Sequence, residues 1–191
     1  VLAARRLRNS MAELIDQTPA DGLIMGVGRV NGAQFADERS RCLAIAYDYT
    51  VLAGTQGKKN HQKQDRMFHL AEKWRLPIVL FAEGGGGRPG DTDMIAVASL
   101  NIDTFHRFGR LSGSAPLVGV TSGRCFAGNA VLLGCCDVVI ATANSSIGMG
   151  GPAMIEGGGL GVFRPEEVGP MAVQVPNGVV NVAVADEAEA T

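Results

Sequence analysis

Long apolar runs are missing from this sequence. No stretch of about 18 apolar residues occurs, so no membrane span is expected. An excess of one charge is also missing: 17 Lys+Arg against 19 Asp+Glu leave a net charge of −2. Nothing in that balance points to nucleic acid. The four cysteines, Cys42, Cys125, Cys135 and Cys136, form no CxxC pair. A zinc ribbon is therefore not expected, and no metal site is assigned. Adjacent Cys135 and Cys136 sit in an apolar run and read as small buried hydrophobes, reduced in a reducing compartment. HExxH, GxSxG and the phosphate loop do not occur. Gly54-Thr55-Gln56-Gly57-Lys58 has neither the spacing nor the Ser/Thr of such a loop. No start methionine and no signal peptide is visible, and a cytoplasmic location is expected.

What is present is a folded chain. Of its 191 residues, 46% are hydrophobic and 19% charged, which excludes disorder and is enough for one domain with a sizeable core. The 26 glycines are about twice the ~7% norm. They cluster at 84–90, 148–151 and 157–161, where backbone is expected to approach something closely.

Residues 3–17 read as an amphipathic helix with Leu7, Met11, Leu14 and Ile15 on one face. Strands are expected at Leu23 to Val30 and Cys42 to Tyr47, with a tight turn at Asn31-Gly32, and a further β-like piece at Thr50 to Ala53. Gly57 to Arg75 reads as a helix with Met67, Leu70, Ala71 and Trp74 at helical spacing. Then come the strand Ile78 to Ala82, a loop from Glu83 to Asp93, and a helix over 94–111. The strand Leu117 to Val120, a short helix near 126–136, the strand Val138 to Ala141 and a last strand Val179 to Val184 complete the pattern. Nearly all-apolar strands alternating with helices predict an α/β fold with largely parallel strands, covered on both faces.

Two turns leave the C-terminal ends of buried strands, where open α/β sheets bind ligands. The first is Glu83-Gly84-Gly85-Gly86-Gly87-Arg88-Pro89-Gly90-Asp91. Gly85, Gly87 and Gly90 also fit GxGxxG, the dinucleotide pattern, but Pro89, Gly90 and Asp91 delay the helix that pattern needs. The second is Ser122-Gly123-Arg124-Cys125-Phe126-Ala127-Gly128-Asn129-Ala130. A helix begins inside it, so unpaired N–H groups with partial positive charge stand at its start. One N–H from each turn would polarise a carbonyl and hold an enolate. The alternative is that Ala127 and Gly128 only permit tight helix–strand packing.

At these residues the chain resembles the crotonase superfamily. Within it, the sequence is most similar to the carboxyltransferase of biotin-dependent acyl-CoA carboxylases. Gly85-Gly86-Gly87-Arg88 resembles that family's Gly-Gly-Ala-Arg loop. Asp48-Tyr49-Thr50-Val51-Leu52-Ala53-Gly54 resembles its D-x-T-V-x-x-G segment. Gly151-Pro152, Glu166-Glu167-Val168-Gly169 and Asn177-Gly178-Val179-Val180 resemble later segments, in the right order.

The resemblance implies a crotonase-like (ClpP/crotonase) β-β-α superhelix over residues 21–191, the N-terminal, CoA-binding half of a carboxyltransferase, after an N-terminal helix in 1–20. It implies that Gly87 and Gly128 donate N–H groups to the thioester oxygen, supported by Gly86 and Ala127. Gly85 and Arg88 would contact substrate. The basic run Lys58-Lys59-Asn60-His61-Gln62-Lys63 opens a helix; Lys58 and Lys59 would meet CoA phosphates, or the run is simply a solvated helix start. A hydratase would need a glutamate where Val131 stands, and Gly148-Met149-Gly150-Gly151-Pro152 supplies no second acid. In the family the ureido nitrogen of biotin takes the α-proton, so no protein base is required. The implied cofactor is carboxybiotin on a carrier, with a CoA thioester as substrate. The implied partners are the second carboxyltransferase half, the biotin carrier, the biotin carboxylase and further copies in a homo-oligomer. The C-terminal half is absent from this sequence, which is expected to be a piece of a longer protein. A non-catalytic CoA-binding or assembly module, or another crotonase-fold isomerase or hydratase, is the alternative.

Overall fold

The computed structural model describes residues 1–93 and 102–191. Its first helix, α1 (Met11–Gln17), starts at a capping box: Glu13 N–H donates to the Ser10 hydroxyl and Ser10 N–H donates to the Glu13 carboxylate. The helix expected from residue 3 is therefore shorter. Residues 3–9 are held elsewhere: Thr92 N–H and Asp93 N–H both donate to Ala4 O, and Arg6 pairs with Asp93 at 3.0 Å. Only Leu14 of the expected apolar face is buried, while Leu7, Met11 and Ile15 are exposed.

Strand β1 (Leu23–Arg29) pairs antiparallel with β2 (Arg41–Tyr47), Leu23 facing Tyr47 and Arg29 facing Arg41. The connection is not a two-residue turn. Asn31 does take a positive φ of 54°, but the loop runs on through the short helix α2 (Asp37–Ser40), and Val30 N–H donates to Ser40 O. The piece at 50–53 is likewise not a strand: it is a turn leading into a 3-10 segment, Leu52–Gly54.

The next units are α3 (Lys58–Trp74), β3 (Ile78–Phe81), α4 (Asp103–Arg110), β4 (Leu117–Thr121), β5 (Arg124–Phe126), α5 (Gly128–Gly134), β6 (Val138–Thr142) and β7 (Ser146–Gly148). Residues 94–101 of the helix expected over 94–111 lie outside the described residues. The tail carries α6 (Pro152–Gly157), α7 (Met171–Gln174), β8 (Val182–Val184) and α8 (Glu187–Ala190). Among the described residues the strands form a six-stranded sheet, β1-β2-β3-β4-β6-β8, parallel from β2 onward, and a small parallel pair, β5-β7.

Parallel strands covered on both faces must be apolar throughout. Leu43, Ile45, Ile78, Leu80 and Leu117 are fully buried. Phe68 of α3 meets Phe108 of α4 with ring centroids 4.9 Å apart, closing one side. The buried face of α3 differs from the one its apolar residues predict. Trp74 is exposed, and the helix turns Asn60, His61 and Gln64 inward with Phe68 and Ala71. Its first half faces a polar network rather than the core.

Candidate active site

The two glycine-bearing turns lie against each other at the C-terminal ends of β3 and β4. Gly84 N–H donates to Arg124 O, and Phe126 N–H donates to Gly84 O, both at 2.8 Å. The turns thus run as a short parallel bridge. At Gly86 the backbone is left-handed, with φ 84°, and a Cβ there would collide with the Ala127 methyl and come within 3.3 Å of Gly128 N. Only glycine lets the turns close this far.

Asn129 holds them together. It is fully buried at the start of α5. Its Oδ1 accepts from Gly86 N–H at 3.0 Å, and its Nδ2 lies 3.4 Å from the carbonyls of Gly54 and Glu83. The sequence reading gave it no role. A polar residue in a first helical turn beside two glycine loops was the available signal.

The N–H groups then sort themselves. Gly85 N–H is used by Ala53 O and Gly86 N–H by Asn129. The N–H groups of Gly87 and Gly128 have no acceptor among the described residues. Gly87 is exposed, and space is open around its Cα. Gly128 opens α5, where N–H groups lack intrahelical partners and the helix dipole is positive. Ala127 before it holds φ 48° and ψ −120°, a strained conformation fixed by its own N–H on Gly148 O and by Val131 N–H on its carbonyl.

Arg88 departs from its expected place. Its side chain is 1% exposed. The guanidinium pairs with Asp21, also fully buried, and donates to Thr55 O at 2.7 Å and Thr55 Oγ1 at 3.2 Å. It faces inward and anchors the loop rather than standing as a solvated loop charge. Asp21 also accepts from Asn60 N–H at 2.9 Å. Burial raises the Asp21 carboxyl against the pull of Arg88.

The remaining candidates stand around this pair. Lys58 is exposed in the first turn of α3, where its N–H donates to Asp91 at 3.0 Å. Lys59 reaches Gln62 at 3.2 Å. His69, His106 and Glu156 are exposed. His61 is buried: its Nδ1 lies 3.0 Å from Thr104 Oγ1, which donates to Asp65 at 2.6 Å. Burial lowers its pKa. The carboxylates flanking the first loop are turned away. Glu83 accepts from Ser122 N–H and Asp91 from Lys58 N–H. Gly85, Gly87 and Gly90 open no helix within residues 85–93. Among the described residues the two turns thus carry two backbone donors without an acceptor, and the carboxylates beside them, Glu83 and Asp91, are engaged elsewhere.

Comparison with known proteins identifies the family. The carboxyl transferase domain family matches residues 2–191. This chain belongs to it. The chain is 30% identical over 143 residues to an uncharacterized carboxylase, YngE, of Bacillus subtilis. That stretch covers 74% of this chain and 27% of the relative. It is 28% identical over 157 residues to the beta1 subunit of a biotin-dependent 3-methylcrotonyl-coenzyme A carboxylase of Mycobacterium tuberculosis. There the shares are 81% of this chain and 28% of the relative. Among solved structures, a single-chain, multi-domain long-chain acyl-CoA carboxylase superposes with a TM-score of 0.94 at 58% identity. It covers all of this chain, which in turn spans 19% of that structure. The transcarboxylase 12S structure, at 22% identity and TM-score 0.72, shares the fold over 94% of this chain. The crotonase-like α/β arrangement with a mostly parallel sheet is thus the fold of this carboxyl transferase domain.

Proposed function

We propose that this domain binds the acyl-CoA in a biotin-dependent acyl-CoA carboxylase and stabilises the enolate that receives the carboxyl group. The observation that carries this reading is the pair of free N–H groups, Gly87 and Gly128, on two turns sutured by Asn129. Removing an α-proton from a thioester moves negative charge onto its oxygen. Two fixed donors stabilise that charge more than the neutral carbonyl, and only such a difference speeds the reaction. Gly86 allows the close approach, and Ala127 aims the N–H of Gly128. Lys58 and Lys59, in the first turn of α3, would meet CoA phosphates.

Carboxybiotin, on a carrier, supplies the carboxyl group and, in the ureido nitrogen, the base. The donor set fits this division. Val131 occupies the place of a hydratase acid, and Glu83 and Asp91 are engaged elsewhere. A non-catalytic module would have no use for two unpaired donors on adjoining turns. A second carboxyltransferase half and further subunits would complete the site. Exposed apolar side chains on the tail, among them Met149, Met154, Leu160 and Val162, offer a surface for them.

Calorimetric titration with a short acyl-CoA and, separately, with NAD tests the reading. Binding of acyl-CoA without NAD is expected. Binding of NAD alone would overturn it in favour of the GxGxxG interpretation.

A further inference from the structure

Gln56 touches both glycine-bearing turns. Its backbone brackets Gly87: Gln56 N–H donates to Gly86 O at 2.7 Å, and Arg88 N–H donates to Gln56 O at 2.8 Å. Its side chain crosses to the other turn. The carboxamide Nε2 donates to the Tyr47 hydroxyl at 2.9 Å, and Oε1 lies so close to Gly128 that a Cβ there would collide with it. The residue is 3% exposed. Oε1 is buried and has no hydrogen-bond partner among the described residues.

That last fact is informative. A buried, unpaired amide oxygen is destabilising. An apolar side chain of similar size would fill the space without that cost. A polar group kept at this disadvantage, pinned by Tyr47 and resting on the donor residue itself, is doing something other than packing.

We propose that Gln56 is a positioning residue for carboxyl transfer, setting the separation of the two donors by gripping Gly87 through its backbone and bearing on Gly128 through its carboxamide. Gly87 and Gly128 belong to loops joined by the Gly84 bridge and by Asn129 on Gly86. Gln56 links them again. This role rests on the oxyanion reading of those two glycines. It also explains why residue 128 must lack a side chain: any Cβ displaces the carboxamide, with the Phe105 ring 3.2 Å away on the same flank.

A double-mutant cycle in the full-length protein tests this, using Gln56→Ala, Gly128→Ala and both together. Turnover and KM for acyl-CoA are measured, with thermal unfolding of each variant. Gly128→Ala alone should lower kcat by at least about tenfold with KM little changed, because the new methyl pushes Gln56 off its seat. Gln56→Ala alone should lower kcat to a similar degree. The double variant should be no worse than Gln56→Ala, because the truncated side chain leaves room for the methyl. Gln56→Met, which keeps the volume but loses the Tyr47 bond, should remain folded and show the same loss of kcat. Fully additive losses, or unchanged kcat in Gln56→Met, would overturn the proposal. The wild-type arm separates the two levels. Absence of acyl-CoA-dependent carboxyl transfer there defeats the functional reading, and the proposal with it. Wild-type turnover without coupling defeats the role of Gln56 alone.

Discussion

Replacing Arg88 by Met separates an anchoring arginine from a substrate-binding one. In the folded protein the guanidinium is 1% exposed and meets Asp21, Thr55 O and Thr55 Oγ1, with Asp91 at 3.6 Å. Met fills much of the same volume but pairs with none of these. Asp21 would be left as a buried carboxylate held by Asn60 N–H alone among its described backbone donors. Removing one partner of a buried pair costs about 3–5 kcal/mol, mostly through the charge left behind. For a domain of this size that corresponds to a fall in Tm of about 6–20 °C. Adding Asp21→Asn removes the orphaned charge, so the double variant should be more stable than Arg88→Met alone. Urea unfolding of the three proteins measures this, and KM for acyl-CoA is read in parallel. A loss of stability below about 1 kcal/mol, together with a raised KM, would refute the anchoring role and return Arg88 to the substrate.

Other perturbations follow from the same geometry. Ala127→Gly should stabilise the protein by about 1 kcal/mol: relief of a strained backbone is worth about 1–3 kcal/mol, against about 0.5–1 kcal/mol for the freer unfolded glycine. Thermal unfolding should show Tm rising by about 2–4 °C. His61 is held below its ordinary 6.5 by burial, so the unfolded chain takes up this proton at a higher pH than the folded one. Its contribution to stability is intact above about 6.5 and is lost as pH falls toward the folded value. Urea midpoints should therefore drop between about pH 7.5 and 5.5, with a shallower drop in His61→Gln.

The parallel strands were legible in the sequence because both of their faces are covered. The apolar runs Ile78 to Ala82, Leu117 to Val120 and Val138 to Ala141 match β3, β4 and β6 to within one residue. The two glycine turns were legible too, since repeated glycine after a buried strand has few structural uses. The polar side of α3 was not. Met67, Leu70, Ala71 and Trp74 make a convincing stripe, yet the helix rotates to bring Asn60, His61 and Gln64 inside. Periodicity counts apolar residues, and it cannot see a buried polar network whose partners, Asp21, Tyr47 and Arg88, are distant in sequence. The start of α1 was readable and missed: Ser10 and Glu13 have capping-box spacing, which marks Met11 rather than residue 3 as the beginning. Arg5 and Arg6 fall within the helix expected over 3–17, whereas they lie ahead of α1 and reach Asp91 and Asp93 on the loop that carries Gly87.

On the proposed reading, in which the N–H groups of Gly87 and Gly128 hold the oxyanion, that network has a physical logic. A side-chain catalyst is placed by its own rotamer, but an N–H donor is placed only by the path of the chain on either side of it. Aiming Gly87 and Gly128 to within a few tenths of an ångström therefore falls to residues that need never touch substrate. Asn129 stitches the turns, Arg88 anchors one of them on Asp21, and Asn60 N–H fixes Asp21 in turn. Each bond in that series is buried, where a polar contact is stiff if satisfied and costly if broken. An apolar stripe on the first half of α3 would pack as densely, yet it would leave the Gly87 loop free to slide. On that reading the inward Asn60, with Gln64 bonded to its Oδ1, serves the site, and the Phe68 and Ala71 half of the helix serves the core.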